Sequence, residues 1–213
     1  MEMKSRKYWA IKIAICLLAV FVLSASVMAV ADDKCGTVTK LTRTVMVTRG
    51  GHENEIQEGD PLYQGDIIRT GEIGYAEIKL IDDTLIAIGN NGAVSLTDVQ
   101  FNVNKSQLSM SIDHGAIWVS TGSIGLINSE AVKFTTPSAI VSSGNATLQF
   151  SVGNGSEELT VQWIPKGGKV SVYNTRSKTR AELKEADKTF IMSGPNAMTV
   201  KSDDIAEEPA VKQ

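Results

Sequence analysis

Two histidines, one cysteine outside the N-terminal apolar run and a handful of aspartates in turns are the residues with which this chain could do chemistry. His52 lies in the polar run His52-Glu53-Asn54-Glu55, and His114 in Asp113-His114-Gly115. A zinc site needs several His or Cys ligands at short, recurring spacing, and neither histidine has such company. No Gly-x-Ser-x-Gly elbow offers an activated serine, and Cys35 with a distant histidine is poor ground for a thiol enzyme. Gly89-Asn90-Asn91-Gly92 lacks the Lys-Ser/Thr that a phosphate loop places after its glycines. Asp60, Asp66, Asp82 and Asp83 remain. Calcium takes about six to eight oxygens from one folded loop, and no EF-hand or nonapeptide repeat is present. The bonds expected of these aspartates are the backbone N–H groups of their own turns. The expectation is therefore no catalytic, cofactor-binding or metal-binding residue, no cofactor, and no enzymatic activity.

Backbone elements must position whatever function exists, and their pattern is plain. From Gly36 to about Tyr173 the apolar residues keep a period of two. Ala76, Ile78 and Leu80 alternate with Glu77 and Lys79; Leu108, Met110 and Ile112 with Ser109 and Ser111; Leu148, Phe150 and Val152 with Gln149 and Ser151; Leu159, Val161 and Trp163 with Thr160 and Gln162. Such alternation marks strands with one buried face. Turn signals separate them, among them Arg49-Gly50-Gly51, Gly59-Asp60-Pro61, Gly65-Asp66, Asp82-Asp83, Gly89–Gly92, Gly153-Asn154-Gly155 and Lys166-Gly167-Gly168. Short strands at such regular spacing predict an all-β fold, a stack that is β-solenoid-like or sandwich-like. Trp118 and Trp163 sit on strands and are expected to fill the core, with ligand stacking as the alternative.

Residues 1–31 need separate treatment. Lys4, Arg6, Lys7 and Lys12 precede an uncharged stretch from Ile13 to Ala31, which ends in Ala29-Val30-Ala31 before Asp32-Asp33. A basic start, an apolar middle and a small-residue exit describe a secretory signal peptide cut between Ala31 and Asp32; if uncut, the apolar segment is a membrane anchor. Either outcome places the rest outside the cytoplasm, in the periplasm or beyond. Residues 32–213 then keep 17 basic and 23 acidic residues, a net charge of −6. That balance disfavours nucleic acid and anionic membrane as partners, leaving membrane contact only through an uncut N-terminal segment. Cys16 belongs to the apolar run, so Cys35 has no intramolecular partner; it is expected as a free thiol on a mobile arm, with intermolecular pairing as the alternative. Asn104-Lys105-Ser106, Asn145-Ala146-Thr147 and Asn154-Gly155-Ser156 fit the glycosylation sequon, which matters only in a eukaryotic secretory route.

Taken in order, the central segments resemble the FecR domain family. They are Gly59-Asp60-Pro61 through Gly65-Asp66-Ile67-Ile68-Arg69-Thr70-Gly71, then Ala76 to Thr84, Leu85-Ile86-Ala87-Ile88, Ile112 to Val119, Phe134-Thr135-Thr136-Pro137-Ser138-Ala139, and Leu159 to Tyr173. The chain departs from the family at Gly144-Asn145-Ala146-Thr147 and at Glu185-Ala186-Asp187. The resemblance implies a FecR-like β domain over 36–175, followed by a strand or hairpin extension over 176–202 and a frayed tail over 203–213. Regulators of this family that bind sigma factors carry a helical cytoplasmic domain. The few residues before the apolar run here are too short for one. The expected function is a non-enzymatic extracytoplasmic module for protein binding or signalling and regulation in the bacterial cell envelope, with an unidentified envelope protein as partner. The alternatives are a structural scaffold self-associating through β edges and, from a third class, a carbohydrate-active enzyme with a carboxylate pair in a deep cleft.

Overall fold

A computed structural model of the chain describes residues 34–153, 156–164, 168–184, 187–192 and 198–202. The expected signal segment 1–31, the turns at 154–155 and 166–167, the Glu185-Ala186 departure, the Ser193–Asn196 turn and the tail 203–213 lie outside them.

Alternating sequence becomes strand wherever it occurs. In chain order the strands are β1 (Lys34–Thr42), β2 (Val45–Arg49), β3 (His52–Glu55), β4 (Pro61–Tyr63), β5 (Ile67–Thr70), β6 (Tyr75–Leu80), β7 (Leu85–Ile88), β8 (Ala93–Phe101) and β9 (Ser106–Ser120). A short helix α1 (Ser123–Ile127) and a 3₁₀ turn (Ser129–Ala131) follow. Then come β10 (Val132–Thr135), β11 (Ala139–Ser143), β12 (Thr147–Gly153), β13 (Ser156–Trp163), β14 (Val170–Asn174), β15 (Arg180–Leu183), β16 (Asp187–Met192) and β17 (Met198–Ser202). The charged stretch after Asn174 is a hairpin arm, β15 on β14, and not a helix.

One hydrogen-bonded ladder folds over into two facing layers. The first runs β4-β1-β6-β7-β9-β12-β13-β16-β17 and the second β3-β2-β5-β8-β9-β10-β11-β14-β15. The result is the all-β stack of many short strands that the sequence predicts, here in two layers. The pairing is antiparallel throughout the described strands except between β9 and β10. Between the layers lies one apolar core, in which Phe134 of β10 meets Phe150 of β12 edge to face with ring centroids 5.5 Å apart.

β9 belongs to both layers. Its first half pairs with β8 and β10, its second with β7 and β12. At the bend, the register against β8 slips between Ala93 and Val94, and Gly115 takes φ +105°. A Cβ there would stand 2.5 Å from Cα of Gly92, so glycine is required on both counts. The slip moves the buried set from Leu108, Met110 and Ile112 to Ile117 and Val119. A strand that changes sheets must do this to keep its apolar side facing the shared core.

An internal repeat ties the layers together. Thr70-Gly71-Glu72-Ile73-Gly74 and Thr121-Gly122-Ser123-Ile124-Gly125 end β5 and β9 at equivalent steps. The buried Thr70 hydroxyl donates to the Gly89 carbonyl (2.6 Å) and accepts from the Gly92 N–H (2.8 Å). Thr121 does the same with the Gly144 carbonyl (2.8 Å) and the Ala146 N–H (2.9 Å). Each hydroxyl satisfies buried backbone groups of a crossing loop that no ladder reaches. The Gly144-Asn145-Ala146 departure from the FecR pattern is thus the second copy of this clasp.

Candidate functional site

The polar groups singled out in the sequence are spent on the fold. The carboxylate of Asp60 accepts from the Gln57 N–H at 2.8 Å. Asp66, fully buried, takes a two-pronged bond from Arg49, Nε and a terminal nitrogen each at 2.8 Å, and accepts from the Tyr63 N–H at 2.8 Å. The Arg49 guanidinium lies 4.2 Å over the Tyr63 ring. Asp82, also fully buried, accepts from the N–H and hydroxyl of Thr84 at 3.1 and 2.9 Å. Asp83 is exposed and pairs with Lys79 at 2.8 Å. Asp60, Asp66 and Asp82 therefore hold turns, as their setting predicts, while Asp83 faces solvent. His52 on β3 and His114 at the bend of β9 are separated by β2, β5 and β8 in the layer order. Among the described residues no group of three or more His, Cys, Asp or Glu could hold a metal. Glu130 and Glu182 share a surface dip of about 160 Å³. Glu130, however, is largely exposed and reaches Arg180 at 3.5 Å. The dip falls below the roughly 300–1,000 Å³ of ligand pockets and is no deep cleft.

Cys35 is a correction. It is fully buried in β1, not on a mobile arm. The reason is non-local: β1 lies between β4 and β6, strands far along the chain that close over it from both sides. Burial, and next the charge of Asp66, pushes its thiol from 9.0 up to about 12. Intermolecular pairing would require β1 to leave the core. Two outcomes follow. A thiol reagent at pH 8 leaves the native protein unmodified and labels it in denaturant. Above pH 9 the unfolded chain loses its thiol proton while the folded one keeps it, so stability falls as pH rises toward about 12, by about 1.4 kcal/mol per pH unit from this group. Denaturant titrations at pH 8 and pH 11 check this: Cys35→Ala should lose less between them than the native protein.

Trp118 is the second correction. The register slip at Asp113, between Ile112 and His114, turns it outward, 38% exposed, while its neighbours Ile117 and Val119 fill the core. Counting by twos from Leu108 would place it inside. The warning signs were the polar pair Asp113-His114 and the glycine within an apolar strand, which mark a bulge. Trp163 lies on β13, and its side chain is outside the described residues. Around Trp118 the outer surface of the first layer forms an open groove of about 240 Å³, bordered by Tyr75, Glu77, Leu85, Ala87 and Thr147. Cross-strand pairing sets Trp118 beside Ala87 on one side and Gln149 on the other. The Tyr75 hydroxyl donates to Glu77 at 2.6 Å, and Lys40 stands 3.7 Å from the same carboxylate. Burial and then the Glu77 bond raise the Tyr75 phenol to about 12, so it stays a donor at neutral pH. This groove joins an open indole and a half-exposed leucine to the hydrogen-bonding groups of Tyr75 and Glu77.

No family model matches the chain, and no curated protein does. Among solved structures, two crystal structures of a proposed anti-sigma factor from Parabacteroides distasonis share its fold. They are 14% and 12% identical, with TM-scores of 0.50 and 0.51. Each alignment covers 64% of this chain and 59% of that one, so this chain spans about three-fifths of the length of its structural neighbours. A cell surface anchoring domain is 34% identical over 31% of this chain, with a TM-score of 0.30. At these identities the likeness is one of fold: the layered β architecture is shared with the two anti-sigma-factor structures.

Proposed function

We propose that this chain is a non-enzymatic, FecR-like extracytoplasmic module that binds a partner protein in a bacterial cell envelope and serves signalling or regulation there. The observation that carries it is the layered fold held in common with structures described as a proposed anti-sigma factor. The FecR-like segments support it, since they follow one another in order along the layers, from the Gly65-Asp66 turn before β5 to the β13–β14 region. The extracytoplasmic placement rests on the basic, apolar and small-residue order of residues 1–31. Disposition of polar groups adds weight: aspartates and threonines are consumed inside turns and clasps, while apolar side chains stand in water on loops. Leu126 and Ile127 of α1 are 67% and 68% exposed, and we assign them to the partner contact. Self-association through edges is the weaker reading, because β3 presents His52, Glu53, Asn54 and Glu55, all exposed, and charged edges oppose strand addition.

Cross-linking in living cells, followed by mass spectrometry of the captured species, tests the proposal. A single envelope protein should be captured by the native chain. Leu126→Asp/Ile127→Asp should lose it by about tenfold or more, with stability changed by no more than about 0.5 kcal/mol, as for surface substitutions. Capture of nothing, or capture that the double variant leaves intact, counts against it.

A further inference from the structure

We propose that the outer face of the first layer around Trp118 binds a neutral glycan, stacking one of its pyranose rings on the indole. This goes beyond the protein-partner reading and stands or falls apart from it.

The argument begins with what the fold does not need. Trp118 and Leu85, 38% and 51% exposed, add nothing to the core that Ile117, Val119 and Ile86 already fill. Side by side on the outward face of the first layer, the two make a contiguous apolar surface. The surroundings leave the indole partly open. A Cβ on Gly89 would lie 3.5 Å from Cζ3 of Trp118, so the ring rests over bare backbone. Its neighbour on β7 is Ala87, too small to cover it.

Charge then selects the occupant. Glu77 is the one ionisable acid or base bordering the groove besides the Tyr75 phenol, and both that phenol and Lys40 are turned onto it. The rest of the lining is mostly apolar, with hydroxyls from Thr39, Ser120 and Thr147. Next to Trp118, Gln149 accepts from the Gln162 amide at 2.9 Å, which fixes a pair of amides at the rim. Lys40 balances the one carboxylate, so the groove presents no unmatched charge to an anionic polymer or a charged peptide. A pyranose ring matches it: one face is aliphatic C–H for the indole, and the edge is hydroxyl for amides and phenol.

Titration of the full-length protein with cellohexaose and chitohexaose, followed by calorimetry and tryptophan emission, tests this. The expected result is saturable binding of at least one oligosaccharide with a blue shift of emission. Trp118→Ala should weaken it about tenfold or more, Trp118→Phe should retain much of it, and the melting temperature should hold in both. Gln149→Ala, distant from the core, should weaken binding without altering emission in the free protein. Absence of binding by both sugars, equal binding by Trp118→Ala, or tighter binding of a hydrophobic peptide would overturn the proposal.

Discussion

Asp66→Ala is expected to lower the unfolding free energy by about 3–5 kcal/mol, the cost of breaking a buried ion pair from one side. Domains of this size hold only about 5–15 kcal/mol in total, so a large part of the margin goes with one side chain. The geometry explains why. Asp66 is fully buried and holds three donors at 2.8 Å: two from Arg49 and the N–H of Tyr63. Alanine leaves that N–H without its acceptor and leaves a guanidinium packed on Tyr63 without its counter-charge. Arg49 keeps its bond to the Pro61 carbonyl at 3.1 Å and is about one-third exposed, so water recovers some of the loss. Arg49→Met is expected to cost at least as much, because it strands a carboxylate that water cannot reach. The pair Arg49→Met/Asp66→Leu should regain part of the deficit, since no buried charge remains. Denaturant midpoints at neutral pH decide it. If Asp66→Ala fell within about 0.5 kcal/mol of the native protein, the Gly65-Asp66 turn would not be a structural keystone.

Gly122→Ala and Gly71→Ala should differ sharply, although both glycines follow the clasp threonine of the repeat. A Cβ on Gly122 would sit 2.1 Å from the Asp82 carbonyl oxygen and 2.5 Å from the Thr84 nitrogen. Both are backbone atoms of the β6–β7 turn, itself held by the Asp82 side chain and by Ser123 N–H to Asp82 carbonyl at 2.7 Å. Nothing there can yield without breaking those bonds, so the cost should reach or pass the roughly 1–3 kcal/mol typical of overpacking. At Gly71 the nearest atom to a built Cβ is the Thr44 carbonyl oxygen at 4.0 Å. Alanine there is expected to change stability by less than about 0.5 kcal/mol. Melting temperatures of the two variants, measured side by side, provide the check; equal losses would mean that the repeat's two turns are packed alike.

Local chemistry carried the strands, the turns and the inward rows. Side chains on a strand alternate because covalent geometry makes them alternate, so Ile78 and Leu80, or Leu148 and Phe150, declare a buried face without reference to any partner. Turn aspartates are equally local, since Asp60 and Asp82 bond to groups within three residues. The clasps were hidden for the opposite reason. Thr70 and Thr121 reach 19 and 23 residues along the chain, to groups that no local spacing names as their partners.

By itself, then, the sequence determined an all-β chain with one greasy and one wet side to each strand. Tertiary structure alone decided which layer each strand joined, where β9 bent, and on which side of the wall Cys35 and Trp118 came to rest. The physical reason is that a period of two names two faces but not which of them meets the core. Strand pairing across long stretches of chain makes that choice, closing β4 and β6 around Cys35 and slipping β9 by one step at Asp113 so that Trp118 meets water.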